Sequence, residues 1–279
     1  MSSLKSTLAS LNVKPSKGRG QNFLESRHDA ERLVPREILT DDKTILEIGP
    51  GLGALTEILI EKNKKICCVE IEDQFVRYLS NKFFNAKEKL DFINADFRTI
   101  NLSEQFGEER LNILSNLPYV FSTEAILWLI ENRKNVESAS LLVQKEFAER
   151  LASEEGCKAY GSISVHSQFY FDIELGVEVP GTAFFPAAGV PSQQIILKHK
   201  VKNYSLSCEE DFFERVVRAS FSMRRKRLAN CLKSKFPQIE KEKIDQTIEK
   251  LNLSSTVRAE ELSVAQFCKL ADGLLLLLQ

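Results

Sequence analysis

Residues that ligate metals or form disulfides are scarce in this chain. Its 279 residues include three histidines and six cysteines, the latter at 67, 68, 157, 208, 231 and 268. No C-x-x-C pair occurs, so neither a zinc site nor a disulfide framework is expected. No apolar run approaches bilayer length. The leucine run at 274–278 is only five residues long and reads as the buried face of a last helix. The first twenty residues have no apolar core followed by a small-residue cleavage site, so secretion is not expected. A general excess of positive charge is also missing: 38 Lys and Arg stand against 39 Asp and Glu, net −1. What remains is an ordinary soluble composition, 43% hydrophobic and 28% charged, too apolar for disorder. The expectation is a reduced, cytoplasmic, metal-free protein.

The charge is unevenly spread. Residues 1–28 carry net +4 and residues 212–236 net +7, leaving −12 on the other 226. Two basic segments on an acidic body suggest a local polyanion surface, with solvated helix faces as the alternative. Short apolar runs at 44–48, 65–71, 90–95, 111–115 and 138–144 suit strands of a sheet covered on both faces. Helical stretches at 54–61, 73–84 and 123–131 lie between them, with Ser122 as a candidate N-cap for the last. This alternation predicts an α/β, Rossmann-like, mostly parallel sheet. Segments 162–171 and 193–199 read as two further strands, an antiparallel pair at one sheet edge. Beyond about residue 202 helical periodicity dominates, with capping boxes at Ser207-x-x-Glu210 and Ser263-x-x-Gln266. Two domains are expected, 1–202 and an all-helical 203–279.

Chemistry concentrates at the strand ends. Glu47-Ile48-Gly49-Pro50-Gly51-Leu52-Gly53 follows a strand and opens a helix. Its glycines allow a tight turn and close approach of a ligand to the backbone. Glu70, 21 positions after Gly49, ends the next strand and suits the two hydroxyls of a ribose. Ala54 stands where a dinucleotide fingerprint has its last glycine, a tolerated change, so the loop by itself leaves NAD open. Asp96 ends the third strand, placed for an adenine amino group, with a surface turn as the lesser alternative if it is taken alone. The fourth strand runs into Asn116-Leu117-Pro118-Tyr119. An exocyclic adenine amine is a poor nucleophile because its lone pair is delocalised into the ring. Two acceptors, Asn116 Oδ1 and the Pro118 carbonyl, would favour a more tetrahedral nitrogen. Tyr119 would stack on the base, and the proline would hold the turn.

The acid, glycine loop, Glu70 and Asp96 together resemble class I S-adenosylmethionine-dependent methyltransferases. With Asn116–Tyr119 the chain resembles, over nearly its whole length, the ribosomal RNA small-subunit adenine N6-dimethyltransferase family, in its bacterial KsgA (RsmA) branch. Gly20-Gln21-Asn22-Phe23-Leu24 matches the family's N-terminal segment, where Asn22 and Leu24 border the cofactor. The segments at 144–150, 160–162, 221–226 and 258–263 are also similar to family segments. The family's Phe-x-Pro-x-Pro-x-Val-x-Ser reads here Phe184-Phe185-Pro186-Ala187-Ala188-Gly189-Val190-Pro191-Ser192, with Ala188 in place of the second proline. The resemblance implies that Phe184, or its neighbour Phe185, stacks opposite Tyr119 on a flipped adenine. It implies S-adenosyl-L-methionine as cofactor, bound by Asn22, Leu24, Gly49, Gly51, Glu70, Asp96 and Asn116. It implies two adjacent adenosines near the 3′ end of 16S rRNA as substrate, within an immature small subunit, and a monomer with no membrane or metal partner. Arg215, Arg218, Arg225 and Lys226 fall within roughly a 100° arc of a helix and are expected to contact RNA phosphates. Val217, Phe221, Leu228 and Leu232 take the opposite side. Arg224 projects toward them, so the helix breaks there or Arg224 pairs internally. Three alternatives remain: the large-subunit relative that confers macrolide resistance, a catalytically idle RNA-binding relative, and an NAD dehydrogenase. The last is disfavoured because no catalytic His or Lys is visible near the cofactor strands, and it explains none of the later motifs.

Overall fold

A computed structural model describes residues 4–13, 15, 21–200 and 204–278. Gly20, Lys14, Lys17, Arg19 and the expected boundary at 202/203 lie outside the described residues. The chain forms two compact units, residues 1–148 with 173–199, and 149–172 with 200–279.

The first unit opens with α1 (Leu4–Ser10), β1 (Phe23–Leu24), α2 (Arg27–Leu33) and α3 (Arg36–Thr40). The alternation then begins: β2 (Ile45–Ile48), α4 (Ala54–Glu61), β3 (Ile66–Glu70), α5 (Asp73–Lys82), β4 (Leu90–Asn94), α6 (Leu102–Phe106), β5 (Leu111–Ser115), α7 (Ser122–Glu131) and β6 (Val136–Gln144). The strands at 45–48, 66–70 and 111–115 are buried at every position. That explains their unbroken apolar runs, because helices cover both sheet faces. After α8 (Lys145–Ala152) and α9 (Ser162–Tyr170) come β7 (Phe171–Val179), β8 (Phe184–Phe185) and β9 (Ser192–His199).

The main sheet has the order β4-β3-β2-β5-β6-β9-β7. Strands β2 to β6 are parallel, and β9 runs antiparallel to β6 with Ser192 opposite Gln144. The order reverses between β2 and β5, where open α/β sheets form a crevice at the strand carboxyl ends. A separate two-stranded ribbon joins β1 to β8, pairing Phe23 with Phe185 and Leu24 with Phe184. It ties the Gln21–Leu24 segment to the Phe184–Phe185 segment, 160 residues later in the chain.

The helical unit contains α9, α10 (Glu210–Ser220), α11 (Leu228–Lys235), α12 (Lys241–Lys250) and α13 (Val264–Leu276). Phe213, Val217, Leu232, Phe267 and Leu270 are fully buried in it. Phe169 and Phe213 meet at 4.4 Å, Phe221 and Phe267 at 5.7 Å.

Four local expectations are corrected. Residues 162–170 are helix, so β7, starting at Phe171, takes the edge position beside β9. Ser122 is the first helical residue of α7, not its cap, because a 3-10 turn over Tyr119–Phe121 leads into the helix. The Ser207 capping box does not form: α10 starts at Glu210, and Asp272 of α13 accepts the N–H groups of Ser207 and Cys208 at 2.8 and 2.9 Å. In the leucine run only Leu274 is fully buried, and Leu276 is 71% exposed. The Ser263 box does form, with Ser263 Oγ accepting from Gln266 N–H at 3.3 Å and Gln266 Oε1 from Ser263 N–H at 2.9 Å.

Candidate active site

A cavity of about 350 Å³ opens at the carboxyl ends of β2, β3, β4 and β5. Its floor is the turn after β2. Gly49, Gly51 and Gly53 have φ of 67°, 55° and 81°, a region that disfavours any residue with a Cβ. A Cβ on Gly51 would sit 3.1 Å from the Phe23 ring, and one on Gly49 3.1 Å from Leu117 of the Asn-Leu-Pro-Tyr turn. The glycines therefore let three sequence-distant segments close on one another.

Glu70, 6% exposed, accepts the Gly51 N–H on one carboxylate oxygen at 3.2 Å and the Glu72 N–H on the other at 3.0 Å. One lone-pair direction on each oxygen is left for a diol. Burial pushes its pKa up, against those two hydrogen bonds. Glu47 is deeper, 1% exposed, and accepts the Thr56 hydroxyl at 2.7 Å. Desolvation, with the nearby Glu70 charge adding to it, raises Glu47 to about 7. Asp96, at the end of β4, is clasped by Arg98, whose Nε lies 3.0 Å from Oδ1 and whose backbone N–H donates to the same oxygen at 3.0 Å. Hydrogen bonding and charge from Arg98 hold Asp96 below the usual carboxylate range. The Arg98 guanidinium also covers the Phe121 ring at 5.0 Å.

Asn22, Leu24, Gly49, Gly51, Glu70, Asp96, Asn116 and Pro118 all line this cavity. The Asn116 side chain has no hydrogen-bond partner among the described residues. The Pro118 carbonyl accepts the Phe121 N–H at 3.0 Å, leaving its second lone pair. Tyr119 is half-buried, and its hydroxyl is 2.6 Å from Ser192 Oγ. Neither Tyr119 nor Phe184 lines the cavity. Phe184, 2% exposed, packs in the core with Leu24 and Val179, whereas Phe185 is only partly buried and carries Lys5 Nζ 5.0 Å from its ring centre.

The profile of the family described as ribosomal RNA adenine dimethylase matches residues 13–274. The chain belongs to that family. It is an S-adenosylmethionine-dependent rRNA adenine dimethyltransferase built on a class I methyltransferase sheet. It is 36% identical to ribosomal RNA small subunit methyltransferase A of Lachnoclostridium phytofermentans, covering 91% of this chain and 89% of the relative. It is 35% identical to the protein of the same name from Ligilactobacillus salivarius, over 92% and 89%. Among solved structures, a dimethyladenosine transferase from Plasmodium falciparum superposes with TM-score 0.74 at 22% identity, covering 89% of this chain and 95% of that one. The 23S rRNA methyltransferase ErmE gives TM-score 0.70 at 20% identity, over 92% and 100%. At those identities the two structures speak for the fold.

The residues of this dimethylase fit the cofactor. Glu47, Glu70 and Asp96 are three carboxyl groups in the lining, and Arg98 is its one cation among the described residues. That balance suits a ligand bearing a sulfonium and an ammonium, and it opposes the pyrophosphate of a dinucleotide. The family match removes the dehydrogenase alternative that the loop sequence left open. Arg98, Phe121 and Ile71 also line the cavity and escaped the sequence reading. Ile71, 58% exposed, had one available signal: an isoleucine directly following the ribose-type carboxylate.

In the helical unit the dimethylase's basic residues do not share one helix. α10 ends at Ser220, a 3-10 turn covers Phe221–Met223, and α11 begins at Leu228. Arg224 pairs internally, donating to the Lys158 carbonyl and lying 3.9 Å from Glu260. Arg215 lies over the Phe212 and Phe236 rings at 5.8 Å each, and Arg218 is paired with Glu214. Arg225 and Lys226 are exposed. Arg225 joins Lys158, Arg224 and Arg258 around a cationic recess of about 410 Å³ that also includes Glu260. Lys158 and Arg258 reach it from distant segments, which no helical periodicity reveals.

Proposed function

We propose that this enzyme dimethylates N6 of two adjacent adenosines near the 3′ end of small-subunit rRNA, during assembly of that subunit, as a cytoplasmic monomer. The observation that carries the reading is the Asn116–Tyr119 turn standing at the mouth of an acid-lined cofactor cavity, with the Asn116 amide unpartnered among the described residues. The high identity to small-subunit relatives across both units supports small-subunit rRNA over its large-subunit counterpart.

When bound, S-adenosylmethionine supplies an electrophilic methyl group on sulfur. The chain supplies position and hydrogen-bond acceptors. Glu70 takes the ribose hydroxyls, and Asp96, kept ionised by Arg98, takes an adenine amine of the cofactor. Asn22 and Leu24 close the cavity from the other side. Asn116 Oδ1 and the free lone pair of the Pro118 carbonyl accept the two amine hydrogens of the target adenine, which concentrates the nitrogen lone pair. Tyr119 stacks on that base. Phe185 supports the opposite face better than Phe184, because Phe184 would have to leave the core to reach it. Arg225, Lys226 and the recess they adjoin take RNA phosphates, with Arg215 and Arg218 as outer contacts. Among the described residues no helix is long and apolar enough to cross a membrane, and no cluster of His, Cys, Asp and Glu could hold a metal.

The test is incubation with methyl-labelled cofactor and unmethylated small subunits, large subunits or naked rRNA, followed by digestion to nucleosides. Labelled N6,N6-dimethyladenosine should come from small subunits alone or in large preference. Label confined to large-subunit RNA would overturn the assignment.

A further inference from the structure

Stacking on a base uses the face of an aromatic ring and leaves the hydroxyl of Tyr119 unexplained. That hydroxyl lies 2.6 Å from Ser192 Oγ, 73 residues away in sequence. Ser192 is fully buried and is the first residue of β9. It is fixed there on both sides. It pairs opposite Gln144 in the β6–β9 ladder, and the carbonyl of the preceding Pro191 accepts the Lys145 N–H at 3.1 Å. The other end of the Tyr119 side chain is fixed by the turn, in which the Pro118 carbonyl accepts the Phe121 N–H at 3.0 Å.

A tyrosine ring has two rotatable bonds and sweeps a wide arc when held only at its Cα. Held at the Cα and the hydroxyl, it keeps a single direction of its long axis, and rotation about that axis is biased because a phenolic O–H lies in the plane of its ring. We propose that Ser192 is a positioning residue for methyl transfer: its hydroxyl fixes the direction of the Tyr119 side chain and so keeps the ring where the extruded adenine stacks. This rests on the reading that Tyr119 stacks on the base. Ser192 does not line the cofactor cavity; it acts through the ring alone. The ordering cost of the ring is met on folding rather than at each base capture, which is the advantage of a pinned platform. The device also suits a reaction performed twice on one nitrogen, because the position of the ring does not depend on whether the amine already carries a methyl group.

Three variants test it: Ser192→Ala, Tyr119→Phe and the double variant, each assayed on unmethylated small subunits. Ser192→Ala should lower kcat about 10-fold, the scale of a sub-ångström loss of alignment. The KM for S-adenosylmethionine should stay within about two-fold, because no cofactor-lining residue changes. Tyr119→Phe keeps the ring and should lose a similar factor. The double variant should be no slower than the slower single one, since both remove the same hydrogen bond. Wild-type kcat in Ser192→Ala, or losses that multiply in the double variant, would overturn the proposal. If Ser192→Ala fails to fold, as read by thermal melting, Tyr119→Phe decides alone, and a wild-type rate there rejects the tether. Tyr119→Ala separates this from the underlying reading. A normal rate in Tyr119→Ala rejects base stacking itself, whereas a slow Tyr119→Ala beside a normal Ser192→Ala rejects only the pin.

Discussion

Glu70 and Asn116 line one cavity, and under the roles proposed for them their substitutions should separate binding from turnover. Glu70 holds one backbone N–H on each oxygen, so its carboxylate is oriented before any ligand arrives. Glu70→Ala should weaken S-adenosylmethionine binding by about ten- to a hundred-fold, the loss of roughly 1.5–3 kcal/mol expected for hydrogen bonds to a charged group. Calorimetry on the folded variant checks this. The Asn116 side chain has no hydrogen-bond partner among the described residues, and its main partner in the proposed reaction is the target amine, so Asn116→Ala should leave cofactor affinity within a few-fold. Its kcat should fall by at least about 10²-fold, the scale for removing one positioned polar group from a reacting centre. Equal losses of affinity and rate in both variants would mean that the two residues act as one binding surface.

The element that sets this geometry is the turn between β2 and α4. Gly53 caps α4 in a left-handed conformation, and its N–H donates to the Pro50 carbonyl at 2.8 Å. A Cβ there would lie 2.6 Å from Leu79 Cδ2 and 3.0 Å from the Phe83 ring, both from the α5 region. Gly53→Ala should therefore cost about 1–2 kcal/mol from backbone strain alone, plus the displacement of Leu79. A lower urea midpoint with unchanged slope should accompany weaker cofactor binding, because α4 carries Ala54 and Leu55 of the cavity wall. This turn was legible in the sequence, as were the five strands around it, because glycine spacing and buried apolar runs are local signals. Residues 162–170 were not. Ser162-Ile163-Ser164-Val165 alternates like a strand, yet the helix forms because its hydroxyls find carbonyl partners inside the unit. Ser164 Oγ donates to Arg150 O and Ser167 Oγ to Ile163 O, both at 2.5 Å. The entry to α10 was hidden for a related reason: Asp272, 62 positions after Glu210, holds the backbone N–H groups of Ser207 and Cys208 ahead of the helix, and Glu209 becomes the N-cap with no side-chain cap bond. In the candidate site, the residues on strand ends could be read directly. The Ser192 contact and the buried position of Phe184 depend on segments meeting in space, whereas the Arg98 clasp is local, two residues from Asp96.

At the scale of the molecule, the charge division read from the sequence gains a more specific form. The segment with net +7 is not a single cationic stripe, because the chain breaks between α10 and α11 and its arginines meet different partners. Arg218 is already neutralised by Glu214 one helical turn away, while Arg225 sits in a recess where Lys158, Arg224 and Arg258 face a single Glu260. These two arginines should therefore differ as RNA contacts. Neutralising a phosphate releases a condensed counterion, so each lost contact should flatten the slope of log K against log salt by about 0.7–0.9. Arg225→Ala should show that full change, with cofactor binding untouched. Arg218→Ala should show a smaller change, because the Glu214 carboxylate beside it offsets the charge a phosphate would meet; the pair itself is worth only about 0–1 kcal/mol, so a reduced change rather than none is expected. rRNA affinity at three or four salt concentrations, beside a thermal melt, distinguishes the two. Equal slope changes would mean that Glu214 gives up Arg218 freely on contact with RNA and that the whole segment acts as one surface. Unchanged slopes in both would place the phosphate contacts outside 212–236, and the other basic segment, residues 1–28, would be the next to neutralise.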